Sequence, residues 1–187
     1  MRTLSRYKLR KISKHLRSGG LIAYPTEAVY GLGCDPVNRD AVNALLALKS
    51  RSALKGLILI ASDLQQLIPY IQPLSSRITA KLEASWPGPV TWLLPARQTT
   101  PKWLTGRHST LACRVSAHPV VQQLCQAFGA ALVSTSANRE SCPPCRTLIQ
   151  VRKQFSKSNQ LVIVSGATGD LDKPTPILNA LTDLRIR

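Results

Sequence analysis

Acidic side chains are scarce in this chain. Its 187 residues hold nine Asp and Glu against 25 Lys and Arg, a formal net charge of +16 with histidine neutral, and the first acid is Glu27. The three histidines, His15, His108 and His118, lie far apart, and no Ser-His-Asp arrangement stands out. A chain so poor in carboxylates and imidazoles is not built for metal-dependent hydrolysis or for a covalent triad. Aromatic residues are few as well, with three Trp, four Tyr and two Phe, and none form the stacking set of an RNA-recognition fold. No apolar run approaches the ~18 residues that span a bilayer. The longest, Leu57 to Ala61, is strand-sized. The basic N-terminus lacks the continuous apolar core and small-residue cleavage site of a secretory signal. A cytoplasmic protein without membrane contact is expected. The five cysteines, Cys34, Cys113, Cys125, Cys142 and Cys145, are odd in number and scattered, which argues against a disulfide framework. Cys142-Pro-Pro-Cys145 has dithiol spacing but no second pair or nearby histidines for zinc; a redox pair and ordinary loop thiols both fit.

What is present in excess is positive charge, and it is unevenly laid out. Arg2, Arg6, Lys8, Arg10, Lys11, Lys14 and Arg17 all precede the first acid. At about 100° per residue, Leu9, Ile12 and Leu16 share one helical face, and Arg6, Arg10, Lys14 and Arg17 cluster beside it. The pattern predicts a docked amphipathic helix over residues 3–18 with a basic outer stripe, ended by Gly19-Gly20. A second basic stretch, Arg139 to Lys157, holds five cations against Glu140 alone. Such a surface fits a polyanionic partner, nucleotide or RNA.

Short apolar runs alternate with helical periodicities along the chain. Strands are expected at Leu21–Tyr24, Leu57–Ala61, Val90–Leu94, Leu111–Val115, Ala131–Ser134 and Leu161–Val164. Helices are expected from Asn38 or Asp40 to Lys49, from Ser62 or Asp63 to Ile68, from Leu74 to Ala84, from Pro119 to Gly129 and from Thr147 to Phe155. Pro95 to Ser109 is polar and reads as a mobile loop. The alternation predicts one α/β domain over residues 1–187, a mixed sheet flanked by helices, with no separate C-terminal domain.

Four segments place polar groups at the ends of apolar strands, where open α/β sheets bind ligands. Tyr24 to Asp35 offers Thr26 and two glycines; it is neither a G-K-[ST] loop nor G-x-G-x-x-G, and a plain turn fits as well as a ligand loop. Lys49, Arg51 and Lys55 put three cations within seven residues, suited to phosphate oxygens. A helix C-terminus explains Lys49 equally well, but not the other two. Arg114 interrupts an apolar strand and needs an anion or a path to solvent; with so few acids in the chain, a ligand carboxylate or phosphate is the favoured partner. Ser134-Thr135-Ser136-Ala137-Asn138 gathers donors at a strand end, as a turn cluster also would. Together these groups suit anionic substrates and stabilisation of negative charge.

The motifs P-T-E-A-V-Y-G-L-G-C-D, Lys49-x-Arg51, S-W-P-G-P-V-T, L-A-C-R-V and S-T-S-A-N, in this order, resemble the YrdC family in its short bacterial form, over about Gly20 to Asn179. The resemblance implies a twisted mixed sheet with a basic concave face. It implies synthesis of L-threonylcarbamoyladenylate from L-threonine, bicarbonate and ATP with Mg²⁺, releasing pyrophosphate. A partner transferase then carries the threonylcarbamoyl group to adenosine 37 of tRNA. Residue by residue, the resemblance assigns Lys49, Arg51, Ser134 and Asn138 to the reacting groups. It assigns Thr26, Arg114, Ser134 and Thr175 to threonine, and Arg51, Lys55, Thr110 and Ser136 to the nucleotide. It implies no resident metal site. The chain departs from the family pattern where Arg139-Glu140-Ser141 stands for L-S-G and Asn179 for an aspartate. A non-catalytic RNA-binding or ribosome-maturation module is the competing reading of the charge.

Overall fold

The computed structural model describes residues 4–139, 142–156 and 158–187. Arg2, Thr3, Glu140, Ser141 and Lys157, which enter the readings of the N-terminal helix, the L-S-G departure and the second basic stretch, lie outside the described residues.

Among the described residues six α-helices and eight strands follow one another: α1 Arg6–Arg17, β1 Leu21–Pro25, β2 Tyr30–Gly33, α2 Arg39–Lys49, β3 Ile58–Ala61, α3 Ser76–Glu83, β4 Thr91–Pro95, α4 Lys102–Thr105, β5 Thr110–Val115, α5 Pro119–Phe128, β6 Leu132–Ser136, α6 Leu148–Phe155, β7 Leu161–Ile163 and β8 Ile177–Asn179. Helix starts follow their capping residues. Asn38 Oδ1 accepts from Ala41 N at 3.0 Å ahead of α2, and Thr147 with Gln150 forms a capping box on α6. Pro119 opens α5, where its missing N–H costs nothing, and Gly129 closes it in the left-handed conformation.

All eight strands form one mixed sheet in the order β7-β1-β2-β6-β3-β5-β4-β8. The pairs β1–β7, β3–β5 and β4–β8 are parallel and the rest antiparallel. Strand alternation splits the apolar residues into two cores. Leu21, Ala23, Leu32, Leu59, Ala61, Cys113, Val115 and Val133 face one way, onto a core that includes Val42 and Leu45 of α2, Leu82 of α3 and Val151 of α6. Ile22, Tyr24, Ile60 and Leu132 face the other way, under Ile12 and Leu16 of α1 and Val121, Leu124 and Phe128 of α5.

The structure departs from the sequence reading in four places. Tyr30–Gly33 is neither turn nor loop but the return strand of a hairpin, pairing Tyr24 with Gly31 and Ile22 with Gly33. Its two glycines carry no side chain, so no apolar alternation marks it. The segment after Asp63 forms two short 3₁₀ turns, Leu64–Gln66 and Ile68–Tyr70, because Pro69 cannot continue an α-helix. Pro95 to Ser109 contains α4 and is packed, with Thr100 and Leu104 buried and Thr100 Oγ1 donating to Tyr70 O at 2.6 Å. Strand β8 follows a polar, proline-flanked stretch and is only three residues long, too short for periodicity to mark.

Among the described residues, no helix is long and apolar enough to cross a membrane.

Candidate functional site

The helices α1 and α5 cover only part of their sheet face. Register shows what lies on the rest. Tyr24 pairs with Gly31, Gly31 with Ser136, Ser134 with Ile58, Ile58 with Ala112, and Ala112 with Leu93. Directly paired residues share a face, so small and hydroxyl-bearing side chains continue the surface that Ile22, Ile60 and Leu132 begin. Among the described residues no helix covers this half. The result is a cleft of about 350 Å³.

Gly31 opens its floor. A Cβ there would stand 3.3 Å from Ser134 Oγ and 3.4 Å from both Thr26 Cγ2 and Tyr24 Cζ, so its absence lets these three groups converge. Burial pushes the Tyr24 phenol well above its ordinary range, so it stays protonated beneath Ser134. Thr26 Oγ1 donates to Val29 O at 2.8 Å, which leaves its lone pairs as acceptors toward the cleft.

Thr26, Arg51, Lys55, Thr110, Arg114, Ser134, Ser136 and Thr175 all line this one cleft. They come from five separate stretches of chain. Arg51 is steered by its Nη2 donating to Gly56 O at 3.0 Å, just past the 3₁₀ turn Ala53–Lys55.

Lys49 and Asn138 stand behind the wall rather than in it. Lys49 is buried, and its Nζ donates to Ser136 O (2.7 Å), Ser136 Oγ (3.3 Å), Asn138 O (2.9 Å) and Asn138 Oδ1 (2.6 Å). Ser136 Oγ in turn donates to Asn138 Oδ1 at 2.7 Å. The ammonium therefore ties the end of α2 to the exit of β6 and sets where the Ser136 hydroxyl sits.

Arg114 is 6% exposed and has an internal partner, where the sequence reading favoured a ligand or a path to solvent. Its Nη2 lies 3.2 Å from Glu27 Oε2, and its Nη1 donates to Thr175 Oγ1 at 2.9 Å. The shortage of acids does not prevent this, because the hairpin β1–β2 brings Glu27 beneath β5. Arg114 still reaches the cleft with its remaining donors.

Two lining residues escape the sequence reading. Arg187 enters because the last residues fold back on β8: Ile186 N donates to Ile177 O at 2.8 Å and Arg187 Nη2 to Thr175 O at 3.1 Å. Burial, then the charges of Arg114 and Arg51, pull its guanidinium below the usual arginine value. His108 lines the opposite rim. No motif flags either one; their place depends on the fold of neighbouring loops. Asn179, by contrast, caps a turn, with Oδ1 accepting from Leu181 N at 2.9 Å and Thr182 N at 3.3 Å.

Among the described residues the lining contains no Asp or Glu. Three guanidiniums, a lysine and several hydroxyls surround it, a donor set for carboxylate and phosphate oxygens. Among the described residues no group of three or more His, Cys, Asp and Glu is placed to hold a metal ion. All five cysteines are free; Cys142 is exposed and Cys145 is buried, with its thiol donating to Gln154 Oε1 at 3.4 Å.

Comparison with known proteins adds an independent observation. The family model Sua5/YciO/YrdC, described as telomere recombination, matches residues 14–186. A Nitrosococcus oceani protein named threonylcarbamoyl-AMP synthase is 50% identical over 181 residues, covering 97% of both chains. A Yersinia pestis protein of the same name is 52% identical over 183 residues, covering 97% of this chain and 95% of its own. Among solved structures, P. abyssi Sua5 complexed with L-threonine superposes with a TM-score of 0.87 at 27% identity, over 95% of this chain. This chain spans about half of that protein, 52% of its length.

Proposed function

The chain belongs to the Sua5/YciO/YrdC family, and on that premise we propose that it is a threonylcarbamoyl-AMP synthase. It joins L-threonine, bicarbonate-derived carbon dioxide and ATP into L-threonylcarbamoyladenylate and releases pyrophosphate. The observation that carries this reading is the cation- and hydroxyl-lined cleft in which Arg51, Lys55, Arg114 and Arg187 meet the hydroxyls of Thr26, Ser134, Ser136 and Thr175.

In this reading the threonine amine adds to carbon dioxide, losing a proton, to give a carbamate. A carbamate oxygen attacks the α-phosphorus of ATP, and the bond to the β-phosphate oxygen breaks. Arg114 and Thr175 hold the threonine carboxylate, and Thr26 accepts from the amino acid's N–H or O–H. Arg51, Lys55 and Arg187 neutralise the phosphates, with Thr110 near the nucleotide. Lys49 and Asn138 act through Ser136, whose hydroxyl they place. In this reading Mg²⁺ comes with the triphosphate as MgATP, the usual way a nucleotide brings this ion. The work left to the protein is positioning and charge stabilisation.

The adenylate then serves a transferase that modifies adenosine 37 of tRNA, in the cytoplasm. Contact with tRNA itself falls to the exposed Arg6, Arg10 and Lys14 of α1, cations that do not line the substrate cleft. The test is pyrophosphate release with ATP and bicarbonate, with and without threonine and without RNA. Arg51→Ala is expected to lower the threonine-dependent rate by ~10²-fold or more. Full activity in that variant, or release that ignores threonine, would sink the reading.

A further inference from the structure

We propose that Glu27 is the positioning residue of the amino-acid subsite. Its buried carboxylate sets the orientation of the Arg114 guanidinium. This rests on the reading that Arg114 holds the threonine carboxylate.

Glu27 is 9% exposed and does not line the cleft. Its Oε1 accepts from Ser116 Oγ at 2.6 Å and from Ala117 N at 3.2 Å, both just ahead of α5. With one oxygen held by two donors, the other is fixed against Arg114 Nη2 at 3.2 Å. Thr175 Oγ1 takes Nη1 on the other side. The guanidinium is planar, so contacts at both terminal nitrogens set its tilt as well as its place.

The backbone of the same residue sets the second contact. Glu27 O accepts from Leu171 N at 3.2 Å, and Thr26 O from Gly169 N at 2.9 Å. These bonds fasten the segment between β7 and β8 that delivers Thr175. A Cβ on Gly169 would lie 2.7 Å from Glu27 O, so the close approach depends on glycine. Glu27 thus organises both sides of Arg114, one through its side chain and one through its main chain.

The charge requirement points the same way. Arg114 is buried near Arg51 and Arg187, and a buried cation without a counter-charge is costly. A carboxylate inside the cleft would repel the substrate's own anions. Glu27 supplies the counter-charge from behind the wall.

The amide isostere isolates this role. In Glu27→Gln, the amide oxygen still accepts from Ser116 and Ala117, and the NH₂ group then faces the Arg114 N–H donors. Only the contact to Arg114 is broken. The experiment is steady-state pyrophosphate release by wild type and Glu27→Gln, with threonine and ATP varied separately, alongside thermal unfolding. The KM for threonine is expected to rise about tenfold with loss of the Glu27–Arg114 ion pair, while the KM for ATP stays within about twofold. Equal rises in both, or an unchanged threonine KM, overturns the assignment. Should Glu27→Gln fail to fold, Ser116→Ala loosens the carboxylate without removing its charge. It is expected to raise the threonine KM by a smaller factor, again without moving that for ATP, and an unchanged threonine KM in the folded variant overturns the assignment. Absence of threonine-dependent release from the wild type would overturn the functional reading, a result distinct from either variant outcome.

Discussion

One face of one sheet does two different things along its length. Under α1 and α5 it presents Ile22, Tyr24, Ile60 and Leu132, all fully buried. Past the edge of those helices, the same sheet face carries Gly31, Ile58, Ala112, Ser134 and Ser136, and among the described residues no helix covers them. Ile60 and Arg114 are direct partners in register, so the apolar core and the substrate cleft meet at a single step of the ladder. Strand alternation decides only which face a side chain takes. Side-chain size then decides whether that stretch becomes core or cavity: large apolar groups need a cover, while small polar ones leave a floor for a ligand.

Changes in the covered half should strike stability and changes in the open half should strike turnover, and substitutions on the two sides can break that division. Leu132→Ala is expected to cost about 2–5 kcal/mol of unfolding free energy. Chemical denaturation measures this, and the folded fraction should keep the wild-type rate. A large loss of turnover per folded molecule would show the two halves to be coupled. Ala112→Leu fills the cleft floor and is expected to lower kcat/KM for the substrates about tenfold, with stability changed by no more than ~0.5 kcal/mol. A clear loss of stability instead would mean that the open half is packed as core.

The smallest effect concerns the border itself. His118 sits just ahead of α5, buried, with Nε2 3.2 Å from Ala167 O. Burial holds its imidazole below the ordinary value of 6.5. The unfolded chain then binds the proton first on acidification, so this contribution to stability is present above about pH 6.5 and is lost as pH falls below it. Melting temperatures from pH 7.5 to 5.5 should show the decline. His118→Gln should flatten it by up to about 1.4 kcal/mol per pH unit in that window. An unchanged pH slope would place the sensitivity elsewhere.

Much of this was legible in the amino-acid sequence. Ser, Asn, Thr and Pro at helix starts and the apolar runs of β3, β5 and β6 mark their elements locally, because capping and alternation are short-range. The hairpin strand β2 was not legible, since glycine carries no pattern. The packing of Pro95 to Ser109 was hidden for a different reason: it depends on contacts such as that of Thr100 with Tyr70, thirty residues away in sequence. The candidate site divides the same way. Thr26, Arg114 and the Ser134 to Asn138 run were visible as polar groups at strand ends. Glu27 as partner of Arg114, Lys49 as a tie behind the wall and Arg187 as a lining cation were not.

The sequence by itself determined an α/β chain, an excess of cations over acids and the donor chemistry of the cleft, because residue type and short spacing carry that information. Only the tertiary structure decided which cations line the cleft and which are bound within the protein. Charges act through space, and for Arg114 and Glu27, 87 positions apart in the chain and 3.2 Å apart in the fold, nearness was settled by the register of the sheet.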